Sequence, residues 1–554
     1  MRKQWWVLFS LLFVLVLAAC SGGSETSSES DGDSTSDEGS ASGEQEITVT
    51  AKSEIPSMDP SLITDSVGFQ WAGETYEGLY RLDENSQLVD GMAEDSEVSE
   101  DGLTWTFKLR DAEWSNGDPV TANDFVYAWQ RAVDPDTASE YGPYFLGGII
   151  DNAQEISNGE MEPEELGATA VDDKTLEVKL EKPVPYFESM TVFITFMPLN
   201  QKYVEEQGDK FATEAEYTIS NGPFEMTDWS HGEGWTIEKS DSYWDADTVQ
   251  LDKIHAKVVK EVSTGVNLYE SGEIDQTELN AEFVDQYSSD EAFQVVEKPY
   301  LYFFKFNQDN NEALANADVR KAISMAIDRQ GLVDVILNDG SVPAKGYVPS
   351  NFVSMPDSEE DFREAQGDLV ETNVEKAKEH WQKGLEALGT DTVEIELLGD
   401  DTGTSKDTLA YYKGQLEENL EGLTIKVMEV PFKERVRRDN EAEFEMEAAT
   451  WGPDYVDPNT YLNMYLTDGQ NNNMGYSSEE YDSLIEQANN EFAQDPDKRF
   501  EAFMEAERLL LEEDAAVAPI YQDAKAQLFR PSIKGVYSTA TGPEFEFKWA
   551  YVEE

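Results

Sequence analysis

The sequence predicts an α/β fold built in more than one lobe on mixed sheets, and three observations carry that expectation. From Val393 to Trp451, strand-like and helix-like patterns alternate with short connections, which argues for parallel strands joined by right-handed crossovers. The chain has 554 residues, several times the usual length of one domain, roughly 100 to 200 residues. Hydrophobic residues make up 39% and aromatic residues 11%, too much apolar surface for a chain that stays unfolded in water.

At the amino terminus, Met1-Arg2-Lys3 leads into an uncharged apolar run, Trp5 to Leu17, that ends in Leu17-Ala18-Ala19-Cys20. This is the pattern of a secretory signal peptide over residues 1–19. The fifteen residues from Trp5 to Ala19 fall short of the roughly 20 apolar residues that cross a bilayer as a helix. Leu-Ala-Ala-Cys resembles the lipobox of bacterial lipoproteins. That resemblance implies that Cys20, the only cysteine, becomes an acylated mature N-terminus, palmitate included, and holds the protein at the outer face of the cell membrane. Cleavage there leaves 38 basic against 115 acidic side chains. Residues 20–46 are then the lipidated Cys and an acidic Ser/Gly linker. Ser21 to Glu46 contains nine Ser, five Gly and eight Asp or Glu with no aromatic or basic residue, so no core can form there. As a flexible leash it spans about 28 Å root mean square. Asp31, Asp33 and Asp37 within it lack the spacing and closing Glu of a calcium loop.

Beyond the linker, period-two alternation at Ile47-Val49-Ala51, Trp105-Phe107-Leu109 and Leu176-Val178-Leu180 reads as half-buried strands. Thr121 with Asp124 offers a capped helix start, and Phe125, Ala128, Trp129 and Ala132 follow at helical spacing until Asp134-Pro135. A second helix places Val319, Ala322, Ile323, Ala326 and Ile327 on one face. A third, near Asp497 to Glu513, does the same with Phe500, Phe503, Met504 and Leu510. In the regular stretch, Val393–Leu398, Thr424–Val430 and Phe444–Thr450 are strand-like, while Lys406–Leu420 and Phe432–Asn440 are helix-like. Ligands of open α/β sheets sit just beyond the carboxyl ends of the strands. The turn that follows the third strand, Trp451-Gly452-Pro453-Asp454-Tyr455, is the leading site from spacing alone.

Composition removes whole classes of function. Forty Lys plus Arg against 115 Asp plus Glu gives a net charge of −75, a field that repels nucleic-acid phosphates and anionic headgroups. One Cys excludes an intrachain disulfide, a CxxC pair and a Cys-built zinc site. Three widely spaced His (His231, His255, His380) without HExxH leave little material for a histidine metal site or a Ser-His-Asp triad. Asp401-Thr402-Gly403 occurs once, where an aspartic protease needs two copies, and it begins a helix. The expectation is no catalytic residue, no metal and no cofactor.

The resemblance becomes specific at Trp114-Ser115-Asn116-Gly117-Asp118-Pro119-Val120-Thr121-Ala122-Asn123-Asp124-Phe125-Val126-Tyr127. It continues at Asn221-Gly222-Pro223-Phe224, Ser242-Tyr243-Trp244, Tyr269 to Asp275, Asp318 to Ser324, and Trp451 to Tyr455. These stretches, in this order, resemble the bacterial oligopeptide-binding lipoproteins, the family 5 solute-binding proteins that feed ABC importers. The resemblance implies a periplasmic-binding-protein-like clam of two lobes and three domains that encloses a peptide. Domain I is expected at 47–76, 199–301 and 525–554, domain II at 77–198, and domain III at 302–524. The crossings near Leu301 and Ala524 would be the hinge strands. The implied partners are oligopeptides and ABC permease subunits, and the expected state is a monomer.

The same resemblance assigns roles. Asp454 matches the aspartate that pairs with the peptide's α-ammonium, and a charged amine in a closed cleft does need such a partner. Trp451 is either core or the wall of a side-chain pocket, Tyr141 matches a tyrosine that closes over the ligand, and Phe432 stands at an aromatic pocket wall. Thr64, Asp65 and Ser66 match a loop whose backbone pairs with the peptide as an added strand. Two departures follow. Ala448 stands where some relatives use an arginine for the peptide carboxylate, leaving Lys406 as a possible substitute or a solvated lysine. Tyr302 and Gly452 stand where those relatives join two cleft cysteines.

The acidity reads either as attraction for basic peptides or as adaptation of an exported protein, from a Gram-positive host, to salt or alkali. Other cargoes on the same fold are a nickel chelate, haem or an oligosaccharide; a secreted hydrolase is the alternative from another class.

Overall fold

The computed structural model describes residues 45–553 apart from 357, 359 and 470. The signal peptide, Cys20 and nearly all of the linker lie outside the described residues. The linker was expected to run through Glu46, but Gln45 and Glu46 belong to the fold. Gln45 Nε2 donates to the Val552 carbonyl at 3.0 Å and its Oε1 accepts from the Val552 amide at 2.9 Å. A primary amide offers the same donor and acceptor as a peptide unit, so a polar residue extends the edge of the fold where composition alone read spacer.

Glu46–Ala51 buries Ile47, Val49 and Ala51 on one face. It pairs in parallel with Lys253–Val258, which continues antiparallel to Gly234–Lys239 and then Phe224–Ser230. A second four-stranded sheet runs Ala93–Val98, Thr104–Leu109, Thr175–Lys179, Ala168–Asp172, all antiparallel. Thr104–Leu109 buries Trp105, Phe107 and Leu109 on one face, as the alternation requires. Helix Ala122–Val133 starts where expected: Asp124 Oδ2 accepts the Thr121 amide at 2.7 Å, the reciprocal half of a capping box. It buries Phe125, Ala128, Trp129 and Ala132, and Trp129 Nε1 donates to the Phe196 carbonyl at 2.9 Å.

The seven-stranded sheet positions the site. Its order is Gln276–Glu278, Val517–Phe529, Phe293–Phe306, Met446–Trp451, Val393–Asp400, Leu423–Val430, with Val342–Pro343 also pairing to Val517–Phe529. Val393–Asp400 is parallel to both Leu423–Val430 and Met446–Trp451, as the alternating pattern predicts. Helices Gly403–Asn419 and Phe432–Asn440 form the crossovers. The first begins three residues earlier than its hydrophobic spacing suggests, because Thr402 Oγ1 caps it by accepting the Ser405 amide at 3.3 Å. Helix Ala317–Ala326 packs on Val374–Leu388; a Cβ at Gly384 would lie 2.6 Å from Val319 Cγ2. The glycine thus lets the helices approach, and burial of Val319 and Ile323 stabilises the pair by about 1.5–3 kcal/mol each.

Phe293–Phe306 and Val517–Phe529 are the longest strands, of 14 and 13 residues. They pair antiparallel from Phe293↔Leu528 to Glu297↔Ala524 and again from Leu301↔Gln522 onward. Between these blocks, Lys298, Pro299 and Tyr300 together face the single residue Asp523. Pro299 has no amide to donate, which suits it to an interruption of the ladder. Elsewhere, three buried glutamates surround one arginine: Arg81 Nε donates to Glu77 Oε2 at 2.6 Å and Nη1 to Glu546 Oε2 at 3.0 Å, with Glu74 alongside.

Candidate functional site

The turn expected to carry the site leaves the carboxyl end of Met446–Trp451, the strand paired with Phe293–Phe306 through Leu301↔Trp451 and Tyr302↔Thr450. In an antiparallel pair, stepping forward on one strand steps backward on the other, so the residue that meets Gly452 precedes Leu301. A Cβ at Gly452 would lie 2.3 Å from Tyr300 Cε1. Tyr300, two residues before the Tyr302 implied by motif order, covers Gly452. A larger residue there would displace the Tyr300 ring.

Thr460, in the short helix Asn459–Leu462, fixes both chemical residues of the turn. Its carbonyl accepts Trp451 Nε1 at 3.1 Å and its hydroxyl accepts the Asp454 amide at 3.0 Å. Trp451 is half-buried against the core that holds Leu301 and Phe303. The Asp454 carboxylate retains some contact with water but is walled in by protein. Its side-chain partner is Tyr144, whose hydroxyl donates to Oδ2 at 2.9 Å. Desolvation pushes the Asp454 carboxyl from 3.8 up to about 6, and the Tyr144 bond opposes that rise. Among the described residues, no lysine or arginine pairs with it.

Tyr144 and Tyr141 lie on helix Tyr141–Leu146, which is pressed onto helix Ala122–Val133: a Cβ at Gly142 would lie 1.7 Å from the Ala132 carbonyl oxygen. Tyr141 packs with Phe193 at 5.3 Å, Phe145 at 5.6 Å and Phe69 at 6.0 Å between ring centroids. Burial raises its phenol above the usual value, and the Asp454 charge adds to that. The same side of the molecule grips the turn again. Tyr455 stacks on Tyr186 at 4.3 Å and the Val456 amide donates to Ser189 Oγ at 2.8 Å, while Arg499, on helix Pro496–Arg508, holds the far end of the turn separately through a bidentate pair with Asp457. Segment 141–189 is therefore closed onto residues 454–456.

Of the residues singled out from sequence, the structure joins Asp454, Trp451 and Tyr141. Phe432 opens helix Phe432–Asn440, is 62% exposed and has the Arg435 guanidinium 5.2 Å above its ring. Asp65 is the cap of helix Ser66–Thr75, its Oδ1 accepting the Val67 and Gly68 amides. Ser66 is the first residue of that helix, so its backbone turns away from an extended strand, while Thr64 keeps both backbone groups unpaired among the described residues. Lys406 is exposed, with its ammonium 3.9 Å from Glu429. Ala448 pairs across the sheet with Phe304. A cavity of roughly 410 Å³, lined in part by Ser66, Val67, Glu278, Lys525 and Glu544, opens beside the long strands. Sequence reasoning missed Tyr144, Tyr300 and Thr460; of these only Thr460 lies within the motif's own neighbourhood.

The arrangement holds an ionisable carboxylate among tyrosines at the carboxyl edge of a sheet, with no lysine or arginine of the described residues paired to it. Comparisons with known proteins agree on the class. Residues 87–473 match the model for the middle region of bacterial extracellular solute-binding proteins, family 5. The chain is 34% identical to the dipeptide-binding protein DppE of Bacillus subtilis, over 99% of both chains. It is 44% identical to the substrate-binding domain of an oligopeptide ABC transporter from Bacillus anthracis, with a TM-score of 0.74 over 92% of this chain and 99% of that one. Against Listeria monocytogenes OppA bound to peptide it is 40% identical, with a TM-score of 0.74 over 93% and 100%. With the family model covering well over half of its length, this chain belongs to the family 5 bacterial extracellular solute-binding proteins.

Proposed function

We propose that the protein is a lipid-anchored receptor outside the cell membrane that captures oligopeptides between two lobes and delivers them to the permease subunits of an ABC importer. The observation that carries this reading is Asp454, a walled-in carboxylate whose charge is matched by no cation of the described residues. Burial of a lone carboxylate is unfavourable, and a peptide's α-ammonium supplies the missing charge with up to three hydrogen-bond donors. The names of the relatives, dipeptide- and oligopeptide-binding proteins, support the cargo class.

The lobes follow the chain crossings. Domain I comprises 47–76, 199–301 and 525–554, domain II 77–198, and domain III 302–524. The interrupted ladder at Pro299 and Asp523 supports a hinge there. Tyr141 and Tyr144 close over the ligand from domain II, Trp451 and Phe432 wall side-chain pockets, and of the loop Thr64, Asp65 and Ser66 it is the backbone at Thr64, unpaired among the described residues, that pairs with the peptide. The receptor works as a monomer tethered through Cys20, and its acidity is an adaptation to its surroundings. Native mass spectrometry of protein purified from its host tests the cargo: co-purified peptides with free amino termini are expected, and a metal chelate, haem or sugar in their place would overturn the reading. Cys20→Ser tests the tether, since the variant should leave the membrane fraction.

A further inference from the structure

We propose that Asp523 is a second cation-reading carboxylate of the cleft and that it selects peptides with a lysine or arginine among their first three residues. This rests on the peptide-receptor reading and gives it a substrate class. Asp523 lies in Val517–Phe529 at the interruption, facing Lys298, Pro299 and Tyr300. The period of two in a strand places its side chain on the face of Tyr521, whose ring stacks on that of Tyr302 at 4.3 Å with 9° between planes. The Tyr300 hydroxyl lies in the field of both Asp523 and Asp454, so the two carboxylates flank one tyrosine.

The charges around Asp523 are committed elsewhere. Lys52 Nζ sits 2.8 Å from Glu278, Lys525 pairs with Glu544 and with Glu278 at 3.5 Å, and Lys298 donates to Ser538 Oγ and lies 3.9 Å from Glu544. Asp339 adds a further negative charge and uses Oδ1 to accept the Ser341 amide at 2.9 Å. Three lysines thus face four carboxylates. Among the described residues Asp523 has no ion pair, and no hydrogen bond is donated to its carboxylate. Desolvation, with Asp339 next, raises its carboxyl to about 6 against the opposing pull of Lys525, Lys298 and Lys52.

An unpaired acid facing the exposed ring of Tyr300 suits a basic side chain, by charge and by cation–π contact. The span also fits. Asp523 and Gly452 lie on the strands either side of Tyr300, so about 10 Å separates them at roughly 4.8 Å per strand. An extended peptide advances about 3.3 Å per residue. With the α-amine at Asp454, a long side chain on the second or third residue reaches Asp523.

Calorimetry on full-length protein with Ala-Lys-Ala, Ala-Arg-Ala and Ala-norleucine-Ala, and with third-position equivalents, tests this. In the wild type, the basic peptide should bind at least about tenfold more tightly than its norleucine counterpart at one of the two positions, a difference of about 1.4 kcal/mol. Asp523→Asn should bring that ratio below about threefold. As a measurement independent of the variant's folding, the wild-type ratio should also collapse between about pH 7 and pH 5, below the range near 8 in which the buried Lys298 takes up its charge, because protonation removes the Asp523 charge while the norleucine reference cancels titration of Asp454. Norleucine peptides that bind with a ratio near one overturn the Asp523 assignment and leave the peptide reading standing. A ratio that survives both Asp523→Asn and acid also overturns it, and failure of every peptide to bind overturns both.

Discussion

Replacing Asp454 by Asn retains the shape and the Tyr144 contact while removing the charge. The carboxyl is raised from 3.8 to about 6, so the unpaired carboxylate carries about 3 kcal/mol of desolvation penalty at neutral pH. Partial access to water reduces that figure. Pairing with an ammonium can recover it, and truncating one member of such a pair typically costs about 2–5 kcal/mol. A loss of about 2–3 kcal/mol, roughly 30- to 150-fold in affinity, is therefore expected for a free-amine tripeptide. Calorimetry with the N-acetylated form of the same peptide completes a double-mutant cycle. Acetylation should weaken binding to the wild type by a similar factor and to Asp454→Asn by little more, because both changes remove the same interaction. If wild type binds the acetylated and free peptides equally, Asp454 is a turn residue and the amine is held elsewhere.

Tyr144→Phe removes the hydroxyl that orients Asp454 and should weaken free-amine peptides by about 3- to 10-fold; tighter binding would show that the phenol competes with the amine. Affinity for those peptides depends on an ionised Asp454, so it should be full well above pH 6 and fall about tenfold by pH 5, while acetylated peptides stay level. Glu74 is raised well above 4.5, first by burial and then by Glu546, and Glu546 is raised to about 7, first by burial. Folding therefore takes up protons at these sites, and their contribution to stability should grow as pH falls from about 8 toward 5. Glu546→Gln should flatten the dependence of unfolding midpoint on pH; an unchanged slope would show that the cluster does not titrate there. With a net charge of −75, the denaturation midpoint should rise between about 0.1 and 2 M salt as self-repulsion is screened. A loss of at least tenfold in affinity for neutral peptides over the same range would instead tie the acidity to ligand capture.

The parts of the fold legible in the sequence are those whose signal is local. The capping box at Thr121 and Asp124, the alternation of Trp105, Phe107 and Leu109, and the periods from Val393 to Trp451 each lie within a few turns or strand lengths of chain. The same is true of the turn at Asp454, where glycine, proline and an acid follow a strand end. Gln45 reads as spacer because its partner, Val552, is 507 residues away. Val517–Phe529, buried along most of its length, shows no alternation to separate a cleft-facing side from a core-facing one, so Asp523 draws no attention in the sequence.

The site shows why locality sets the limit. Asp454 needs a donor that holds its carboxylate without neutralising it, and Tyr144 supplies one from 310 residues away. The tyrosine can do so only because Gly142 lets its helix press against the Ala132 carbonyl. That glycine reads as an ordinary turn residue until the neighbouring helix is in place. Tyr300 is similar, since its position over Gly452 depends on the pairing of Leu301 with Trp451, which lie far apart in the chain. A charged residue at a strand end can thus be proposed as a ligand group from sequence, whereas the groups that set its ionisation belong to the tertiary structure. On the proposed reading, binding strength, pH response and preference among peptides depend on those distant groups, so variants at Tyr144, Tyr300 and Asp523 are the ones expected to separate receptors that share the same aspartate turn.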